Sequence, residues 1–552
     1  MDSQRLILFF VFSFSVFLLL DAWQRDRQPP PPVPATAEKA AKGSPPAAQV
    51  PVPSGKLAAP QATVPQQAQR VTDKGTTIKV ETDLIIAQIS TQGGDLRHLQ
   101  FKKHRDTLDT SKDFVLFEVS PERTYVAQSG LIGNGLPNHQ TAYAVTGSDF
   151  RLADGQDSLE VRLSAPSAEG MQVDKVYRFR RGSYLVDVSF EIKNKDAAAF
   201  QPYAYFQIVR DGKPPVGDSA MLPTYTGMAV YTEKEKFQKL SFEDVAKAKT
   251  AYPKNSNDGW IAVIQHYFFS AWLPKNGTPR EFYTRKLDEN LYAAGVIVPD
   301  GTIGSGAGAT ITVPLYAGPQ EQEKLAKIAP GLELTIDYGM LTVIAVPLFW
   351  VLARLYEWTG NWGVAIILLT IIIKLLFYPL SAASYRSMAK MRVLAPKLQR
   401  LKDQYGDDRQ RLQQAMMELY KTEKINPLGG CMPILVQIPV FIALYWALLA
   451  SVELRHAPFM LWIDDLATPD PWFILPILMA ATMWIQTMLN PEPPDPVQAK
   501  VMKIMPIVFS IFFFFFPAGL VLYWLVNNVL SIAQQWQITR ALEHGAAAAK
   551  KR

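Results

Sequence analysis

The chain is poor in the groups that catalysis and metal binding most often use. Among 552 residues there is one cysteine, Cys431, so no intrachain disulfide can form. An exported domain must therefore hold through its core alone. There are six histidines, and His98, His104, His139 and His266 follow no metal-ligand spacing, so no metal is expected. A phosphate-binding loop is also missing. The stretch GTIGSGAG, Gly301 to Gly308, precedes a strand pattern, Thr310-Ile311-Thr312-Val313, where a nucleotide site needs a helix. We read it as a hairpin connection. No catalytic set stands out, and no cofactor, enzyme activity or small-molecule substrate is expected.

Apolar residues make up 48% of the chain and are unevenly spread. The first two-thirds read as mostly soluble and the last third as mostly membrane. One stretch organises the rest: Trp362 to Leu380, WGVAIILLTIIIKLLFYPL, just long enough to cross a bilayer core as a helix. It carries Lys374, with Thr370 one turn before. A lysine near mid-bilayer costs about 2.5–3.5 kcal/mol on insertion scales and marks a functional site by default. Snorkelling of its stem to the near interface is the plainer alternative. Later spans also carry amides, at Gln437, Asn527, Asn528, Gln534 and Gln535, which points to a shared wet cavity.

In chain order, Leu6 to Leu20 reads as an uncleaved signal anchor (1–23), since no small-x-small cleavage site follows it. The Pro/Ala-rich segment 24–70 is a semi-extended tether. Residues 71–330 look all-β, with alternation in Thr77-Ile78-Lys79-Val80-Glu81 and Tyr184-Leu185-Val186-Asp187-Val188. Two packed antiparallel sheets are the natural solution. Leu334 to Trp358, within 331–358, is apolar with Pro347 in its middle. We read it as an interfacial amphipathic helix, although its length also allows a span. Between Tyr385 and Lys424 about ten Lys/Arg face five acids, which makes this loop cytoplasmic. Residues 384–425 read as a helical hairpin turning at Tyr405-Gly406-Asp407-Asp408, with an aspartate poised to cap the second helix. Its methionines are either the seam between the helices or an adaptable surface for apolar segments. Pro433–Ser451, Trp472–Leu489, Val501–Phe516 and Leu520–Trp536 follow as spans within a core of 359–540, and 541–552 is a basic cytoplasmic tail. Six spans place both termini in the cytoplasm.

The stretches MAKMRVLAPKLQ (Met388–Gln399), NPLGGCMPILVQIPVF (Asn426–Phe441) and FPAGLVLYWLVNN (Phe516–Asn528) closely resemble the YidC-type membrane protein insertases of Gram-negative inner membranes. So do MDSQR at the start and GWIAVIQHYFFSAWLP (Gly259–Pro274). The resemblance covers nearly the whole chain. It implies a membrane α-helical bundle of six spans with a five-span insertase core, plus an all-β periplasmic supersandwich similar to sugar-mutarotase folds. It implies a hydrophilic groove in which Lys374 stands where the family usually has arginine, with positive charge kept and the bidentate fork lost. Thr370, Gln437, Tyr523, Trp524, Asn527 and Asn528 would line that groove. Ile434, Ile438, Phe441, Met505 and Phe509 would form the lateral face met by a substrate. In the hairpin, Met388, Met391, Arg392, Met416 and Met417 would meet cytoplasmic partners. Those partners are the substrate, the ribosome and the signal recognition particle receptor, while nascent inner-membrane proteins, the Sec translocon and membrane lipids are the partners implied for the protein as a whole. A solute transporter is the main rival reading, weakened by the lack of an internal repeat. A periplasmic carbohydrate enzyme is the second, resting on fold analogy alone.

Overall fold

The computed structural model describes residues 75–550 apart from 134, 167–169, 197, 218–223, 406–407, 424–431 and 490–495. The anchor (1–23) and tether (24–70) expected from the sequence lie outside these residues, as does the end of the basic tail. The chain divides into two compact units between Ile336 and Asp337.

The first unit is a pair of facing sheets, one of ten strands and one of nine. Among the described residues, all strand pairs are antiparallel except Thr77–Glu81 against Asp149–Arg151. Alternating residues dive into the core where one face is covered: Val186, Val188, Phe190 and Ile192 are buried along Leu185–Asn194. Where both faces are covered the alternation disappears, and Tyr203–Asp211, Trp260–Gln265 and Phe268–Trp272 are buried at every position. The sheets meet through aromatic rings such as Phe206 and Trp272, 5.1 Å apart. The Tyr125 hydroxyl reaches across to Ser270 Oγ at 2.8 Å. Two short helices accompany the sheets, α1 (Phe242–Ala246) and α2 (Gln322–Ile328).

One expectation fails here. Residues 300–307 do not close a hairpin. Leu291–Pro299 belongs to the ten-stranded sheet and Gly308–Pro319 to the nine-stranded one, so the segment crosses between sheets. Each strand already has two partners in its own sheet, Tyr203–Asp211 and Arg280–Asp288 for the first, Leu185–Asn194 and Phe268–Trp272 for the second.

The second unit is helical: α3 (Thr342–Thr359), α4 (Trp362–Leu376), α5 (Tyr378–Tyr405), α6 (Arg409–Thr422), α7 (Met432–Ala450), α8 (Ile474–Leu489), α9 (Pro496–Phe512) and α10 (Ala518–Lys550). The helix expected from Leu334 begins only at Thr342. Asp337 accepts from the Gly339 N–H at 3.1 Å, and Gly339 takes a left-handed φ of 61°, which breaks the run. Gly360 ends α3 in the same left-handed way, and the Asn361 side chain caps α4 by accepting from Val364 N–H at 3.1 Å. Asp408 caps α6 as expected, accepting from Gln410 and Arg411 N–H. Pro396 lies inside a continuous α5.

Three further bounds differ from expectation. The stretch Trp362–Leu380 is not one helix but breaks at Phe377, after Leu376. It bends by 66° into α5, where Pro379 occupies the first turn and needs no N–H partner. The phenylalanine run does not continue α9. That helix stops at Phe512, and Phe513 to Phe516 turn back towards α10. The last helix does not end near Trp536 but runs on to Lys550. Among the described residues, one helix has by itself the length and mean hydropathy, 1.7, of a span: Gly339–Thr359. The α4–α5 pair passes only as a bent whole, and the apolar parts of α7, α8 and α9 are shorter.

Packing follows an arc. Helix α7 lies on α3, α3 on α4, α4 on α10, α10 on α8, and α8 on α9. Among the described residues α7 and α9, the two ends of the arc, have no extended packing on each other.

Candidate functional site

Lys374 lies in the last turn of α4, because the helix ends four residues earlier than its apolar run. That position places the ammonium at the negative end of the helix dipole, which offsets part of the cost of holding a charge there. The side chain is half-buried and turns onto α10, where Nζ donates to Ser531 Oγ at 2.6 Å. Among the described residues no carboxylate forms an ion pair with it. The Ser531 hydroxyl donates in turn to the Asn527 carbonyl at 2.7 Å, one turn back along α10. Asn527 Oδ1 accepts from Gln437 Nε2 of α7. A chain of polar contacts thus runs from α4 through α10 to α7.

The amides do not all gather in one place. Asn527 faces Lys374 and Gln437. Its neighbour Asn528 is turned by about 100°, as adjacent helical residues are, and reaches Thr482 Oγ1 of α8 at 3.5 Å. Gln535 joins that second group, accepting from Gln486 Nε2 at 3.1 Å and donating to the Leu489 carbonyl at 3.0 Å. Gln534 is buried. The first group contains the cation and the second ties α8 to α10. Thr370 is fully buried, and its hydroxyl bonds the Ile366 carbonyl of its own helix at 2.7 Å.

Aromatic rings close the first group on one side. Trp524 meets Phe441 of α7 edge-on at 4.1 Å and Phe513 at 4.9 Å. Tyr523 is buried, 6.2 Å from Phe441. Phe513 is buried while Phe512 and Phe515 are exposed, so the run divides between packing and surface. Ile438, Met505 and Phe509 are exposed. The side chain of Ile434 lies outside the described residues, as does that of Arg392 within α5.

In the hairpin, Lys397 Nζ pairs with Glu423 at 2.6 Å and joins the two arms. Met388, Met391 and Met416 are half-buried and Met417 is exposed.

Sequence reasoning missed Ser531, Thr482, Gln486 and the separate role of Phe513. The one available signal was spacing: Ser531 falls one helical turn after Asn527 and shares its helix face.

The β-unit also holds a buried polar cluster. Asp95 accepts from Gln128 at 2.8 Å, Gln128 from Gln207 at 2.9 Å, and Gln207 from the Tyr283 hydroxyl at 3.0 Å. Lys175 donates to the Gly93 and Ser129 carbonyls at 3.0 and 3.1 Å. Burial pushes the Asp95 carboxyl up to about 6 and the Lys175 ammonium down to about 8. Burial, with Lys175 nearby, also pushes His139 down to about 4. Its Nδ1 and its backbone N–H both face the Tyr205 hydroxyl.

Comparison with known proteins fits this two-part plan. The family described as YidC periplasmic domain matches residues 77–351, and that described as 60Kd inner membrane protein matches 354–545. The membrane protein insertase YidC of Methylobacillus flagellatus is 59% identical over 555 residues, covering 100% of this chain and 99% of its own. That of Nitrosospira multiformis is 57% identical over 564 residues, again covering 100% and 99%. A crystal structure of an active YidC insertase with its first transmembrane domain resolved is 18% identical, with a TM-score of 0.39, covering 84% of this chain and 93% of that one. With more than half its residues shared end to end with such relatives, the chain belongs to the YidC family of membrane protein insertases.

Proposed function

We propose that this inner-membrane insertase draws the polar flank of a nascent membrane protein to the Lys374 cation, while the apolar segment leaves between α7 and α9. The observation that carries this reading is the Lys374–Ser531 contact. It is a cation held by a neutral hydroxyl and paired with no carboxylate among the described residues. Such a cation keeps its attraction for an acidic group brought by a substrate. Gln437 and Asn527 continue the polar path towards α7. The unpacked edge between α7 and α9, with Ile438, Met505 and Phe509 exposed beside it, is the exit to lipid. Helix α4, about 22 Å long at 1.5 Å per residue, is shorter than a hydrocarbon core of about 30 Å and thins the bilayer locally. An acidic tail then moves outward with the membrane potential, at about 2.3 kcal/mol per charge per 100 mV.

The topology proposed with it has six spans, both termini in the cytoplasm and the β-unit in the periplasm. Helix α3 lies along the outer interface. Its length would also serve a span, but a span there would put the basic hairpin outside. The hairpin and tail meet the ribosome and the signal recognition particle receptor. The Sec translocon and membrane lipids are the remaining partners.

The test replaces the native protein with Lys374→Gln, Lys374→Glu and Lys374→Arg. Insertion of single-span substrates with acidic tails should fall with Gln, fall further with Glu and persist with Arg. Equal insertion by all three overturns the electrostatic reading.

A further inference from the structure

We propose that the loop between α7 and α8 is a rigid wedge seated in the outer lipid leaflet, recognising the boundary between head groups and acyl chains. This rests on the topology proposed above.

Among the described residues, three of the six non-glycine positions with positive φ fall in this one loop: His456, Leu461 and Phe473, at 57°, 58° and 56°. Leu461 and Phe473 are bulky, and such a backbone is kept only where the surroundings impose it. The surroundings here are extensive. Asp470 is buried and accepts from Trp462 Nε1 at 3.0 Å, Trp472 N–H at 3.0 Å and Leu475 N–H at 2.7 Å. His456 Nδ1 lies 3.1 Å from Asp465. Asn361 holds the Phe459 carbonyl at 2.8 Å, and the Phe459 ring lies so close over Gly363 that a Cβ there would approach it to 2.0 Å. The first turn of α10 is bound as well, Ala518 N–H to the Thr468 carbonyl and Gly519 N–H to that of Leu466.

The inner side of the loop is spent on packing: Ala457, Ile463 and Leu466 are buried. Its outer side shows Met460, Leu461, Trp472 and Phe473, with Leu461 82% and Trp472 66% exposed. Two of the strained residues, Leu461 and Phe473, therefore hold apolar side chains outward, while His456 is turned in to Asp465. A water-facing loop gains nothing from that arrangement, and a patch of this kind marks an interaction surface.

Two features select lipid as the occupant. First, exposed apolar side chains continue along α8, with Ile477 and Leu478 in its first turns and Ile485 further on. Second, α8 has 16 residues, about 24 Å of rise, against a hydrocarbon core of about 30 Å. A rigid apolar cap at its outer end supplies the missing height. Tryptophan is suited to that depth, and Trp472 stacks on Trp462 at 6.1 Å. By filling the outer leaflet, the wedge confines thinning of the bilayer to the opposite leaflet, on the side of Lys374.

The test uses full-length protein in nanodiscs, with Cys431→Ser and an environment-sensitive fluorophore on Leu461→Cys, Trp472→Cys, Asp464→Cys or Ile485→Cys. The labels at 461 and 472 should emit to the blue of that at 464, lose most of their intensity to lipids brominated along the acyl chain, and resist iodide. Free quenching by iodide at 461 and 472 overturns the proposal. So does protection from both quenchers, which means that protein covers the loop. The label at 485 separates the two readings: quenching by brominated lipid there but not at 461 sinks the wedge alone, and none at 485 sinks the topology.

Discussion

Lys374 and Ser531 are 157 residues apart in sequence and 2.6 Å apart in space, an ammonium resting on a hydroxyl that already donates to its own helix. The serine is a resting place for the cation, not a counter-charge. Removing it by Ser531→Ala should cost about 1.5–3 kcal/mol of stability, the range for a hydrogen bond to a charged group. The preference for acidic substrate tails should remain, because the charge remains. Thermal unfolding in detergent, paired with an insertion assay, checks both halves.

Trp524 bridges Phe441 and Phe513 and is the ring that ties α7 to the turn after α9. Trp524→Ala should destabilise by about 3–5 kcal/mol as a large aromatic truncation, whereas Trp524→Phe should lose far less. Cysteine crosslinking between positions 438 and 509 should then become less specific in the alanine variant.

Protonation of His139 is disfavoured in the folded β-unit, with its pKa near 4 against an ordinary value of about 6.5. Between those values the unfolded chain binds the extra proton. Stability attributable to this residue is therefore full above about 6.5 and falls as the pH drops towards 4, by at most about 1.4 kcal/mol per pH unit. Asp95 acts in the opposite sense, since its raised pKa favours the folded state as the pH falls through 6. Comparing His139→Gln with the parent cancels the Asp95 contribution. The variant should gain relative stability on acidification, measured by denaturant titration at several pH values.

Asp408 is the cap of α6, accepting from two backbone donors. Asp408→Ala should destabilise the second arm of the hairpin by about 1 kcal/mol. Amide exchange at Gln410 and Arg411 should quicken while that of α5 holds.

The sandwich was legible because strands such as Thr77–Glu81 and Leu185–Asn194 are covered on one face and alternate accordingly. The sheet assignment of Gly308–Pro319 was not, because alternation in its first half shows only which face is covered, its second half is buried throughout, and neither names the neighbouring strand. The end of α4 was hidden by the apolar Phe377-Tyr378-Pro379-Leu380, although Pro379 was the signal: proline disfavours a helical residue before it and suits the start of a new helix. Lys374, Gln437 and Asn527 stood out as polar groups in apolar runs. Ser531 did not, since a helical serine bonded to the carbonyl four residues back is the ordinary case. Only the arrangement of α4 against α10 makes it a partner.

The 66° corner at Phe377 has a mechanical meaning. Lys374 stands just before it and the methionine-bearing arms lie beyond it. Helix α5 packs on α10 and α7 beyond that corner, so the chain turns aside while α4 ends beside Ser531 and the ammonium keeps its station against α10.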